Sequence, residues 1–175
     1  MNSERSWATP LSPYVLGILR ISYGILWLQQ AMWKIPPDFG MAHGDGLYYW
    51  TKEMAKYSFL APHRFFVDSV VLPHFLLFAW VTLLTELFIA FSHLLGIASR
   101  LGALAAFAMS TNLLIGLARQ PTEWPWSYAM LVGYSLIFLS THPGRVLGLD
   151  GRLSEYLGAS SRANRPWASA LRFLL

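Results

Sequence analysis

The chain is 175 residues long, 55% hydrophobic, 15% aromatic and only 13% charged, with a net charge of +4. Soluble domains carry about 25% charged residues, so this composition points to a membrane protein, and the length suits one domain. The absence of cysteine excludes a disulfide framework, thiolate metal sites, iron–sulfur clusters, covalently attached haem and a cysteine nucleophile; the basic surplus suits cytoplasmic membrane flanks, so no nucleic acid is expected.

Residues 1–12 are polar and lack the charged flank, apolar core and cleavage site of a signal peptide, so the first helix is expected to stay as an anchor. That helix is predicted over about 13–33. Arg20, Tyr23, Trp27, Gln30 and Lys34 form one polar-aromatic stripe along it, at helical spacing. Residues 34–69 read as a long polar insertion. Its opening, KIPPDFGMAHGDG, is too rich in proline and glycine for regular structure. An amphipathic helix then starts at Asp45, a candidate N-cap, with Leu47, Trp50, Met54 and Tyr57 on one face. It is expected to lie on the membrane surface or to cap the bundle.

Residues 73–95 form a 23-residue apolar run interrupted by one acid, Glu86. At about 1.5 Å per residue it can cross a ~30 Å hydrocarbon core. Pro73 is expected in its first turn and Gly96 at its stop. A third span is expected over 101–118, where Gly102, Ala105, Met109, Asn112 and Gly116 make a small-residue stripe suited to close helix approach. A fourth is expected over 125–141, ended by Pro143 and Gly144. The fold class is therefore all-α: an integral membrane four-helix bundle with a long extracytoplasmic loop between helices 1 and 2. It makes one domain over 1–155, followed by a basic cytoplasmic tail over 156–175. Arg5, Arg100 and the tail arginines favour cytoplasmic termini in a multi-pass inner-membrane protein, with Trp33, Trp50, Trp124 and Trp126 as an outer interfacial belt.

A carboxylate within a span should face protein and have a partner. Counting helical rise from the inner ends puts Arg20, Glu86 and Asn112 in one slab, with Tyr134 lower down. Arg20 and Glu86 carry opposite charge and are expected to pair. One reading is a structural ion pair that fixes helix register. The other is a cavity for a polar headgroup or a proton path, with Arg20 and Glu86 as candidate catalytic groups and Tyr23, Trp27, Asn112 and Tyr134 as candidate binding groups. His93 and His142 could ligate a b-type haem across the bundle, but histidines at an interface are far commoner, so haem is not expected. No metal-ligand spacing, phosphate loop or Ser/His/Asp arrangement stands out.

Taken together, GILRISYGILWL with Lys34, VVLPHFLLFAW, TELFIAFSHLLGIASRLGALAA, MSTNLLIGL, EWPWSYAMLVGY and GRVLGLDGRL resemble the DoxX/DoxD family of small four-span membrane proteins, from Gly17 to Leu153. The long outer loop and the EWPW segment are most similar to the DoxD branch, which includes the membrane subunit of thiosulfate:quinone oxidoreductase. The resemblance implies electron delivery from a reduced sulfur compound to membrane quinone. Its matching positions are Arg20, Glu86, Arg100, Asn112, Arg145 and Asp150, without a catalytic assignment. Two functions are consistent with these features. One is a subunit of a quinone-linked oxidoreductase, with quinone in an apolar slot and a sulfur oxyanion drawn to Lys34, Lys52, Lys56 and Arg64. The other is a non-catalytic accessory subunit docked with further subunits of a larger membrane complex.

Overall fold

A computed structural model describes residues 12–162, with side chains as far as Tyr156. Every regular element among the described residues is helical. The elements run α1 (Pro13–Met32), α2 (Gly46–Tyr57), α3 (Ala61–Phe66), α4 (Phe75–Leu95), α5 (Ser99–Leu117), α6 (Pro125–Ser140) and α7 (Asp150–Arg162). A π-helical stretch, Val67–Val71, extends α3, and a 3-10 turn, Pro143–Arg145, follows α6. Residues 1–11, and the tail arginines Arg165 and Arg172, lie outside the described residues.

The four predicted spans match α1, α4, α5 and α6 to within two residues at each end. Membrane-crossing character is unequal among them. α4 and α5 are long and apolar enough to cross a membrane, judged by length and composition. α1 is interrupted by Arg20, Gln29 and Gln30, and α6 has 16 residues. The expectation of four spans is therefore met at two helices.

α1 packs along α4, α5 along α6, and α4 against α5. Tyr23 and Trp27 of α1, Ile89 and Ala90 of α4, Ala103 and Ala106 of α5, and Phe138 of α6 meet in one buried core. The close α4–α5 approach depends on Gly102, where a Cβ would collide with Ser92 Oγ. Gly96 ends α4 in the left-handed conformation, φ 64°, as its position suggested. Pro73 lies just ahead of α4 and not in its first turn.

At the end where α1 stops and α4 begins, the insertion is more ordered than its composition suggests. Phe39 is buried edge-on against Trp80, and Tyr48 of α2 meets Phe75 in the same way. α2 lies over α5, with Met54 seated on Gly116. Asp45 sits at the N-cap of α2 but its side chain makes no capping hydrogen bond. The later part of the predicted insertion, for which no element is expected, is α3 and the π stretch. Pro62, within the first two positions of α3, is the helix-start signal for this segment. Part of the predicted tail is likewise helical, in α7.

Candidate functional site

Arg20 and Glu86 do not pair. Arg20 is fully buried, and its guanidinium donates to three main-chain carbonyls: His93 O, Leu94 O at 3.4 Å and Leu147 O at 2.6 Å. Two of these belong to the last turn of α4, where unsatisfied carbonyls and the helix dipole favour a cation. Glu86 lies seven residues before His93, roughly 10 Å up the same helix. The physical reason is side-chain direction. A helical Cα–Cβ bond tilts towards the N-terminus, so the long Arg20 side chain runs towards the start of α1 and reaches the end of α4. Depth counted at Cα positions misses that reach.

The partner of Glu86 is Lys34, with Nζ and Oε2 2.6 Å apart and both side chains 3% exposed. Lys34 follows α1 directly and also leans back along it, donating to Gln30 O at 2.5 Å. Its ammonium lies 4.2 Å from the Trp33 ring. Lys34 belongs to the same sequence stripe as Arg20, so the residue was visible in the spacing; which of the two cations would reach Glu86 was not.

Glu86 and Lys34 form part of the wall of a cavity of about 360 Å³. α2 contributes Trp50 and Met54, the α3–π segment Phe66 and Val67, and α5 Met109, Asn112 and Leu113. Most of the wall is apolar; its polar members include Gln30, Thr51, Thr82 and Glu123 besides Lys34, Glu86 and Asn112. Lys34 and Glu86 bring a cation and an anion. Asn112 brings an amide whose Oδ1 lies 2.9 Å from His63 Nε2, while His63 Nδ1 lies 2.9 Å from Ser58 Oγ. The Tyr128 hydroxyl, also lining the cavity, is committed to Glu123 Oε2 at 2.6 Å. The structure thus brings Glu86 and Asn112 of the predicted slab together, adds Lys34, and removes Arg20.

The other candidate binding residues lie in the core. Tyr23 is buried, with its hydroxyl donating to Leu131 O at 3.0 Å and 2.7 Å from Ser135 Oγ. Trp27 stands edge-on to Tyr23, and Tyr134 is tilted against it with centroids 5.9 Å apart. None of the three lines the cavity. His93 is buried between Tyr23 and Phe138, with Nδ1 donating to Ile89 O, while His142 is exposed. Among the described residues, no three His, Asp or Glu side chains are grouped closely enough to hold a metal ion.

At the opposite end, Asp150 is fully buried and organises the start of α5. It accepts from Ala98 N at 2.7 Å, Ser99 N at 3.0 Å and Ser99 Oγ at 2.5 Å. Its own N–H returns to Gly96 O at 2.8 Å. Gly144 is pressed against its carboxylate, with no room for a Cβ. Arg20 and Asp150 therefore hold the α4–α5 turn from two sides, and both read as structural groups.

Among protein-family models, the one described as "TQO small subunit DoxD" matches residues 15–168. No curated protein and no solved structure matches the chain.

Proposed function

The chain belongs to the DoxD family, and from that premise we propose that it is the membrane subunit of a quinone-linked oxidoreductase, with the Lys34–Glu86–Asn112 cavity as its quinone-headgroup site. The observation that carries this reading is a buried ion pair and an amide set in the wall of a mostly apolar cavity. Its volume falls at the lower end of the ~300–1,000 Å³ typical of small-molecule pockets, where a few polar groups on apolar walls fix orientation.

Reduction of a quinone to a quinol takes up two electrons and two protons. The electrons come from a reduced sulfur donor through a partner subunit, and this chain supplies the binding site and proton handling. Lys34 has donors for a headgroup oxygen, and Glu86 beside it is the acid–base group within reach of that oxygen. Phe66 and Val67 offer an apolar side towards which an isoprenoid tail would run. Arg20, an expected catalytic group, is reassigned to holding the end of α4.

In the same reading α1, α4, α5 and α6 all cross the inner membrane, with both termini cytoplasmic and residues 34–69 outside. Arg20 and Tyr23 of α1 are covered by the other helices, as an intramembrane charge requires, while Gln29 and Gln30 are exposed near the end of α1. Cysteines introduced at Ala42 and Tyr156, both exposed positions in a chain without native cysteine, report the orientation. Ala42 should label from outside intact cells and Tyr156 only after permeabilisation; the reverse pattern inverts the topology.

Photolabelling of the native complex with an azidoquinone tests the site. Label on peptides from α2 or on the Met109–Leu117 segment of α5 supports it. Label confined to other subunits would move quinone off this chain and favour the accessory-subunit reading.

A further inference from the structure

Building on the quinone reading, we infer that His63 is a positioning residue that locks the Asn112 amide with its NH2 group turned towards the cavity, as the donor for the headgroup's second carbonyl. Ser58 sets the order of donors. It is fully buried at the C-cap of α2, its N–H bonded to Met54 O and its carbonyl to Arg64 Nη2 at 2.8 Å. Its hydroxyl has two neighbours, His63 Nδ1 at 2.9 Å and Leu60 O at 3.3 Å. Donation along the shorter contact makes Nδ1 the acceptor. A neutral imidazole then carries its proton on Nε2, and Nε2 donates to Asn112 Oδ1 at 2.9 Å.

With Oδ1 engaged outside, Nδ2 is the group left for the cavity. Among the described residues it meets the thioether sulfur of Met54 at 3.9 Å, a weak acceptor that a carbonyl oxygen would outcompete. Lys34 stands elsewhere in the same cavity, ion-paired with Glu86 Oε2 at 2.6 Å and donating one N–H to Gln30 O. The ammonium, 4.2 Å from the Trp33 ring, has a third N–H for a ligand. Lys34 and Asn112 thus stand as two separate donors in the cavity, suited to a ligand that carries two acceptors. A dione has that pattern; a monocarbonyl or an aliphatic chain does not. His63, on α3 and outside the cavity lining, acts through Asn112 alone.

The test is binding of a short-chain benzoquinone to the purified full-length chain in lipid nanodiscs. Trp33 and Trp50 line the cavity, so quenching of tryptophan fluorescence can follow it. His63→Leu frees the amide to rotate and should weaken binding about five- to tenfold, the scale of one hydrogen bond. His63→Gln, whose amide nitrogen can take the place of Nε2, should bind like wild type. Asn112→Asp keeps the acceptor for His63 and presents an oxygen to the cavity in place of NH2, so it should bind at least as weakly as His63→Leu. Adding His63→Leu to Asn112→Leu should cause no further loss, because His63 has nothing left to position. Wild-type affinity in both His63→Leu and Asn112→Asp overturns the inference and leaves the quinone site standing. So does full additivity in the double variant. Failure of the wild-type chain to bind the quinone overturns the site and the inference together.

Discussion

Lys34 and Glu86 join the end of α1 to the middle of α4 through an ion pair 2.6 Å long that is almost wholly closed to solvent. Burying two charges is costly, and an unpaired one costs more, typically ~3–5 kcal/mol when a partner is removed. Lys34→Met and Glu86→Leu should each lower the melting temperature clearly in detergent. Combining them should recover most of the loss, since an apolar pair can replace a buried ion pair at little cost. A Lys34→Met chain that melts like wild type would show that the pair contributes nothing to stability.

Arg20 gives a different expectation. Its fork serves carbonyls on both His93–Leu94 and Leu147, and a lysine ammonium cannot span that arrangement with the same planar geometry. Hydrogen bonds from charged groups are worth about 1.5–3 kcal/mol each. Arg20→Lys should therefore melt at least ~5 °C lower, at roughly 2–4 °C per kcal/mol for a chain of this size. The molecules that remain folded should keep wild-type quinone affinity. A selective loss of quinone affinity at unchanged stability would return Arg20 to the site.

The α4–α5 turn has no room for an added methyl group. At Gly96 a Cβ would come within 2.6 Å of Gly148 Cα and 2.7 Å of Arg20 Nη1, at a φ of +64°. Left-handed backbone costs an L-residue roughly 1–2 kcal/mol before any clash is counted. Gly96→Ala should be poorly stable or fail to accumulate, whereas Gly133→Ala, with open space around its Cβ, should be tolerated. Equal melting temperatures for the two variants would contradict the packing described here.

Asp150 caps α5 through two main-chain N–H groups and the Ser99 hydroxyl. Its removal in Asp150→Ala should cost at least the ~1–2 kcal/mol of a lost cap. Asp150→Asn should retain part of the capping. Ser99→Ala removes one of the three bonds and should be milder than either, as read by thermal unfolding.

Much of this architecture is legible in the sequence. Apolar run lengths, Gly96 and the Pro125 start locate α4, α5 and α6, because those signals are local and repeat at the helical period. Glu86 and Asn112 stand out as polar residues in apolar helices, and both reach the cavity. The partner of Glu86 does not follow from spacing. Arg20 and Lys34 lie on one stripe, and the choice between them depends on how far each side chain leans back along α1. Tyr23 and Trp27 share that stripe but face the helix core, since a stripe marks a face and says nothing of which neighbour fills it. His63 was hidden for another reason: its segment reads as loop unless Pro62 is taken as a helix start, and its contact with Asn112 spans 49 residues.

If quinone is reduced in the cavity bounded by Lys34, Glu86 and Asn112, quinone-reductase activity of the purified native complex carrying Glu86→Gln reports it most directly. Glutamine keeps the size and polarity of the side chain while removing its charge and its proton exchange. With wild-type subunit composition preserved, turnover should fall at least tenfold, within the range typical of a lost general acid–base group. Wild-type turnover in a fully assembled Glu86→Gln complex would contradict the account and leave the cavity a structural feature of the fold.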